Sequence, residues 1–286
     1  MGEEFAALGE RPVEGHMAWL ESRIRARPQD AGLRLALCHF LAVRGQWQRA
    51  QDVLAIVQKL DASFTPAVAT CALALRGEKA RAEFWAGGAA PTVIGGASAW
   101  TDDLIAAVQQ SSSQPEEAAR RRDAAREGAP AQPGVLVGTA LGVEPRVLSG
   151  DDEPTQRIEF AWLCDGDTRL GPVFEVLTAA GYAWLPWAAL RRVSLRRAQH
   201  LIDLLWAPAE FEMHDGSSSS ALIPVRYPAE LPALDDDTNL ARQTQWLPLP
   251  GEAQYAGLGQ RVLTSDVGDH PLLDLRSIEF TADITP

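Results

Sequence analysis

Residues 170–216 read LGPVFEVLTAAGYAWLPWAALRRVSLRRAQHLIDLLWAPAEFEMHDG, and this run decides the fold. It holds three of the nine tryptophans, Trp184, Trp187 and Trp206, so a large apolar surface that has to be buried is concentrated in one short stretch. PVFEVL and YAWLPW read as two strands separated by a turn at Gly181, and AEFEMHDG as a third strand ending in an Asp-Gly turn. Between them, HLIDLLW sets Leu201, Leu204 and Leu205 at helical spacing, a short helix. The run is the framework of a β-rich domain and carries no catalytic motif.

The period stays at two on either side of it. RIEFAWL, residues 157–163, alternates Ile158, Phe160 and Trp162 against Arg157, Glu159 and Ala161, which predicts a half-buried strand. ALIPVRYP, residues 221–228, predicts another, confined to a sheet edge by Pro224. QRVLTSDVGDHPLLDLRSIEF, residues 260–280, reads as two strands around a Gly-Asp turn, with Leu273, Leu275 and Ile278 on the last one. A long acidic loop-rich stretch separates these two regions.

Upstream, from about Phe5 to Gln110, the period is helical. Met17, Leu20 and Ile24 share a face of a helix that stops at Pro28; residues 31–44 and 47–60 predict two more around Gly45; a fourth begins at Pro66 and runs to about Phe84. Leu37, Phe40 and Leu41, then Gly45, Trp47 and Ala50, with Asp61 at the exit, fit a helix–turn–helix of about 34 residues, the tetratricopeptide pattern. One helix pair cannot bury its own apolar face, so neighbours stack on it. Residues 86–100 form a Gly-rich connector, and two further helical segments follow; in the second, Arg120, Arg121 and Arg122 among Glu116, Glu117 and Asp123 predict an exposed, charge-paired helix. PAQPG, residues 130–134, closes this half. The fold class is therefore α+β, a TPR-like helical domain over residues 1–133 followed by a mostly antiparallel β-rich domain over residues 134–286.

Charge follows the same division. Residues 1–133 carry 15 basic and 16 acidic side chains, and residues 134–286 carry 11 and 22, out of a formal net charge of −12. That sign repels nucleic acid and anionic lipid and makes both poor partners. A local basic patch of Arg191, Arg192, Arg196 and Arg197 is a solvated edge or a contact for an acidic peptide. Cys38, Cys71 and Cys164 form no CxxC pair and supply neither a disulfide framework nor a zinc site. No apolar run approaches the ~20 residues of a membrane span, and the acidic N-terminus is no secretory signal; the expectation is a cytoplasmic protein.

Four motifs invite chemistry. DGDTRLG, residues 165–171, opens like a calcium loop but puts Arg169 and Val176 where ligands are needed, so a tight turn is expected. GLGQR, residues 257–261, lacks the third glycine and the βαβ unit of a dinucleotide site and reads as a turn leading into a strand. His200 with Asp203, and the trio Asp235, Asp236 and Asp237, are the material for a hydrolase alternative; the first is expected to be hydrogen-bonded or solvated and the second a solvated loop. No metal or cofactor is expected. Trp162, Trp184, Trp187 and Trp206 either pack the core or line a peptide groove.

Taken together, LRLALCHFLAVRGQWQRAQDVL, RLGPVFEVL, YAWLPW, DLLWAPAE, IPVRYP, LARQTQW, GLGQR and PLLDLRSIEF, in this order, resemble the ImpE/TagJ (SciE-type) accessory family of bacterial type VI secretion systems. The chain departs from the family pattern at Ile202, which stands where an arginine is usual, and at Ala229, where a glycine is usual. The resemblance implies a cytosolic, non-enzymatic accessory factor that binds the N-terminal helix of the small sheath subunit (TssB) and links it to the ClpV-type AAA+ ATPase. A scaffold outside secretion is the other non-enzymatic reading. A helix-binding groove has two candidate faces: Leu37, Phe40, Leu41 and Trp47 on the repeats, or Trp162, Trp184, Trp187 and Trp206 with Arg191 and Arg192 at the rim.

Overall fold

The computed structural model describes residues 11–139, 155–229 and 234–281. Residues 5–10, where the helical period begins, and residues 231–233 of the acidic loop lie outside them.

Six α-helices precede Gly134 among the described residues: α1 (Val13–Ala26), α2 (Ala31–Val43), α3 (Trp47–Leu60), α4 (Thr65–Trp85), α5 (Ala99–Gln110) and α6 (Pro115–Gly128). They start and stop where the sequence says they should. Asp30 caps α2 by accepting from the Leu33 amide at 3.0 Å, Pro66 and Pro115 sit in the first turns of α4 and α6, and Ser98 and Thr101 form a reciprocal box at the start of α5. The connector between α4 and α5 is not wholly irregular: β1 (Thr92–Val93) pairs in parallel with a strand of the large sheet.

The strands that follow are β2 (Gly134–Thr139), β3 (Thr155–Phe160), β4 (Leu163–Asp165), β5 (Val173–Thr178), β6 (Gly181–Pro186), β7 (Leu190–Leu195), β8 (Trp206–Met213), β9 (Ser218–Pro224), β10 (Thr244–Pro248), β11 (Tyr255–Gly259), β12 (Val262–Ser265), β13 (Gly268–Pro271) and β14 (Leu275–Phe280). Nine of them build one sheet in the order β1-β6-β5-β9-β8-β7-β14-β2-β3, antiparallel throughout except at β1. β13-β12-β4 form a small second sheet and β10-β11 a hairpin.

The decisive run folds largely as read. PVFEVL and YAWLPW are β5 and β6, in register from Val173 opposite Pro186 to Thr178 opposite Gly181; HLIDLLW contributes a single 3-10 turn, Leu201–Leu204. Three expectations are corrected. β9 lies inside the sheet, between β5 and β8; Pro224 is its last residue, and β5 meets β9 only at Leu177 opposite Leu222, so no ladder bond is asked of the missing N–H. The strand RIEFAWL breaks after Phe160, and Trp162 turns outward to 40% exposure. Residues 260–280 make three strands, with the hairpin turn at Asp266 and Val267.

β5 and β6 are buried on both faces. Val173, Leu177, Tyr182 and Trp184 join the cluster that includes Leu37, Leu41, Leu75 and Phe84 of the helices, whereas Phe174, Val176, Ala183, Leu185 and Trp187 join Phe211, Ile278 and Phe280 on the other side. This two-sided burial explains why VFEVL reads as a nearly continuous apolar run. α4 comes very close to β5: a Cβ on Gly77 would stand 2.8 Å from Leu177 Cδ2. One helical turn further on, the same face presents Arg81.

Candidate functional site

Glu175 is the one charge inside VFEVL, and the alternation of β5 turns it toward α4 with Val173 and Leu177. Arg81 grips it as a fork, Nε donating to Oε1 at 2.9 Å and Nη2 to Oε2 at 2.7 Å. Trp85 Nε1 and Tyr182 Oη also donate to Oε1, at 2.9 and 2.6 Å. From the opposite side Arg261 donates to Glu175 Oε2 through Nη2 and to Asp165 Oδ2 through Nη1, at 2.5 and 2.7 Å. Tyr227 Oη donates to Asp165 Oδ1 at 2.8 Å. On the helix side Glu78 accepts from Arg81 Nη1 at 3.3 Å and from Trp206 Nε1 at 2.8 Å.

Arg226 completes the cluster by a different route. Its guanidinium donates to the carbonyls of Val43 and Ala42, at the C-terminus of α2, and of Asn239. Free carbonyls at a helix end carry partial negative charge, so a cation is favoured there. Burial nevertheless pushes the Arg226 guanidinium down to about 10.

These charges are out of water: Glu175 and Arg261 are fully buried, and Glu78, Arg81, Asp165 and Arg226 are at most 7% exposed. Burial by itself would raise the Glu175 carboxyl, but Arg81 and then Arg261 outweigh it and hold the group well below the usual carboxylate range. At Asp165 burial prevails over Arg261, with Asp167 adding to it, and the carboxyl rises to about 7. Buried charges of this kind persist only when paired and hydrogen-bonded. What the arrangement does is hold the helices against the sheet; its oxygens and N–H groups are engaged within the protein.

GLGQR and DGDTRLG meet here, both as turns. Gly259 has φ 85, and a Cβ on it would stand 2.1 Å from the Gln243 carbonyl oxygen, so the chain can turn into Arg261 only with glycine. Asp167 is buried against Arg169, whose Nη2 and Nε donate to its carboxylate, and it accepts from the Gly257 amide at 2.9 Å. Among the described residues no three His, Cys, Asp or Glu side chains form a group able to hold a metal ion.

The hydrolase residues do not converge. Asp203 Oδ2 accepts from the amides of Gln199 and His200. Asp235 caps the short helix α7 (Asp236–Asn239), Asp236 pairs with Arg44 at 2.9 Å, and Asp237 pairs with Arg242 at 3.0 Å. The solvated loop expected there is therefore a capped, ion-paired one.

Of the residues named as groove candidates, Leu37, Phe40, Leu41, Trp184, Trp187 and Trp206 are buried, Trp47 is half-buried beside Trp206, and Trp162, Arg191 and Arg192 are exposed. The exposed arginines pair with carboxylates on neighbouring strands, Arg191 with Glu212 and Arg192 with Glu279. Arg122 corrects the reading of α6 as wholly exposed. It is 4% exposed and donates to Gln254 Oε1 and the Pro250 carbonyl, so α6 also packs onto the β-rich part. An apolar cleft of 310 Å³ opens beside it, lined by Leu104, Ala125, Ala129, Trp162, Leu163 and Pro172 among others.

Sequence reading missed the buried network. The signal was present: Glu175 is a lone charge in an otherwise apolar strand, and Arg226 stands in IPVRYP between two buried neighbours, Val225 and Tyr227.

Comparison with known proteins bears on the whole chain. The model of the family described as ImpE protein matches residues 157–279. A Pseudomonas aeruginosa protein named type VI secretion system accessory component TagJ is 38% identical over 283 residues, 98% of this chain and 91% of that protein. The crystal structure of a Vibrio parahaemolyticus protein superposes with a TM-score of 0.81 at 23% identity, covering 99% of this chain and 98% of that one, and so shares the fold.

Proposed function

The chain belongs to the ImpE family, and on that premise we propose that it is a non-enzymatic cytoplasmic accessory factor of a bacterial type VI secretion system. In this reading it binds the N-terminal helix of the small sheath subunit, TssB, and links the sheath to the ClpV-type AAA+ ATPase. The observation that carries the proposal is the 38% identity, over 98% of the chain, with a protein named as an accessory component of that system.

The site geometry supports a role without bond-making chemistry. The buried carboxylates and guanidiniums are satisfied by one another, and His200, Asp203 and Asp235 to Asp237 serve caps and ion pairs. Among the described residues no helix is long and apolar enough to cross a membrane. Residues 1–133 and 134–286 act in this reading as two regions of one adaptor body. Trp162, Arg191 and Arg192 on the surface, with half-buried Trp47, are the groove candidates able to meet a partner directly.

Calorimetric titration with a synthetic N-terminal helix of the small sheath subunit tests the proposal. Saturable binding at micromolar Kd or tighter, roughly −8 kcal/mol or more, with a negative heat-capacity change from apolar burial, is expected. No saturable heat at high peptide concentration contradicts the assigned partner.

A further inference from the structure

Trp162 stands where the alternation of RIEFAWL places an inward residue, yet it is 40% exposed. It forms one wall of the cleft between α6 and the β4 region, whose floor is Leu104, Ala125 and Leu163. A volume of 310 Å³ is at the low end of ligand sites, room for one or two large side chains. An indole exposed beside an apolar recess is the composition of an anchor-residue pocket.

The charge at the cleft is not balanced. Its charged lining residues are Arg122, Asp123 and Arg126. Arg126 is paired with Asp123 at 3.0 Å, and Gln254 Nε2 also donates to that carboxylate. Arg122 is held only by neutral acceptors, Gln254 Oε1 and the Pro250 carbonyl, and no carboxylate is within ion-pair distance of it among the described residues. Asp123 and Asp167 act on this buried guanidinium only from beyond ion-pair distance, so the charged lining carries a net positive sign beside an apolar floor.

We propose that this cleft is the docking site for an acidic amphipathic helix of a partner protein, which inserts one large apolar side chain between Trp162 and Ala125 and brings a carboxylate to Arg122. The inference rests on reading the chain as a protein-binding factor and assigns that role a place. Arg126 at the rim adds a second cation once its aspartate is shared. A basic or purely apolar helix lacks the carboxylate and leaves Arg122 without an ion-pair partner under it.

The test uses the full chain labelled with 5-fluorotryptophan and two synthetic amphipathic helical peptides with the same leucine- and phenylalanine-bearing face, one glutamate-rich and one lysine-rich on the polar face. The fluorine resonance of Trp162, assigned from Trp162→Phe, is followed during titration. The glutamate-rich peptide is expected to shift it and to bind at least about tenfold more tightly than the lysine-rich one. Ala131→Trp, which fills the mouth of the cleft from an exposed position, and Arg126→Glu are each expected to weaken binding by about tenfold, with thermal unfolding unchanged. Equal binding of the two peptides, an unmoved Trp162 resonance, or undiminished binding by Ala131→Trp overturns the proposal. The peptides are independent of the sheath subunit, so these outcomes leave the sheath-helix titration to decide the functional reading on its own.

Discussion

Arg81 and Glu175, 94 residues apart in the chain, face each other as a bidentate pair with both bonds under 3 Å and neither side chain more than 6% exposed. The pair joins the longest helix to the strand that opens the decisive run. Around it gather Arg261, Arg226, Tyr227 and Trp206. They come from GLGQR, IPVRYP and DLLWAPAE, three of the stretches that carry the family resemblance, and in these three the residues named serve to hold the molecule together.

Arg226 tests the attachment of the helical repeats. Arg226→Met leaves the carbonyls of Val43, Ala42 and Asn239 without their donor in a place water does not reach. The expected loss is about 3 kcal/mol in urea unfolding, with Arg226→Lys recovering part of it. A loss below about 1 kcal/mol would mean that the α2 terminus finds other donors.

Asp165 gives the stability of the protein a particular pH dependence. Its carboxyl is raised from 3.8 to about 7 in the folded state, so between those values the folded chain holds a proton that the unfolded chain has released. Stability from this group is full below the lower value and is lost as pH rises toward the upper one. The stability of the native protein relative to Asp165→Asn should therefore fall from pH 4 to pH 7. Glu175 runs the other way: its carboxyl is lowered, and its contribution is lost as pH falls through the acid range. A flat or rising difference between native protein and Asp165→Asn across that window contradicts the account.

The tryptophans separate into packing and surface. Trp187 is fully buried against Phe174 and Phe280, with ring centroids at 5.0 and 6.0 Å; Trp187→Ala is expected to cost roughly 3–5 kcal/mol. Trp162→Ala, at an exposed cleft wall, should change stability by no more than about 0.5 kcal/mol while weakening partner binding. Equal destabilisation by both substitutions would show that Trp162 is a core residue.

Local rules made the helices legible. Met17 and Leu20 bury the face their spacing predicts, and Asp30, Pro66 and Pro115 mark helix starts. β5 and β6 were legible because Gly181 and the apolar runs on either side of it leave few alternatives. The path of Trp162 was not, since only the bond from the Ala161 amide to Asp266, 105 residues away, shows where that segment leaves its strand. The burial of Arg122 was hidden for the same reason: its neighbours Arg120 and Arg121 do pair with nearby acids as helical spacing predicts, and only its distant acceptors, Gln254 and the Pro250 carbonyl, distinguish it. Apart from Glu78 with Arg81 and Tyr182 with Glu175, the charge network is non-local, and no period in the sequence records which buried carboxylate a distant arginine will reach.

The measurement that bears most directly on this account is a double-mutant cycle between Arg81→Met and Glu175→Gln, read by urea unfolding at neutral pH. Each single change should cost about 3–5 kcal/mol by stranding its partner in a dry interior. The double mutant should cost well under the sum, with a coupling of about 2 kcal/mol or more between residues 94 positions apart. Additive losses, with coupling below about 0.5 kcal/mol, would contradict the claim that this buried pair fastens the helices to the sheet.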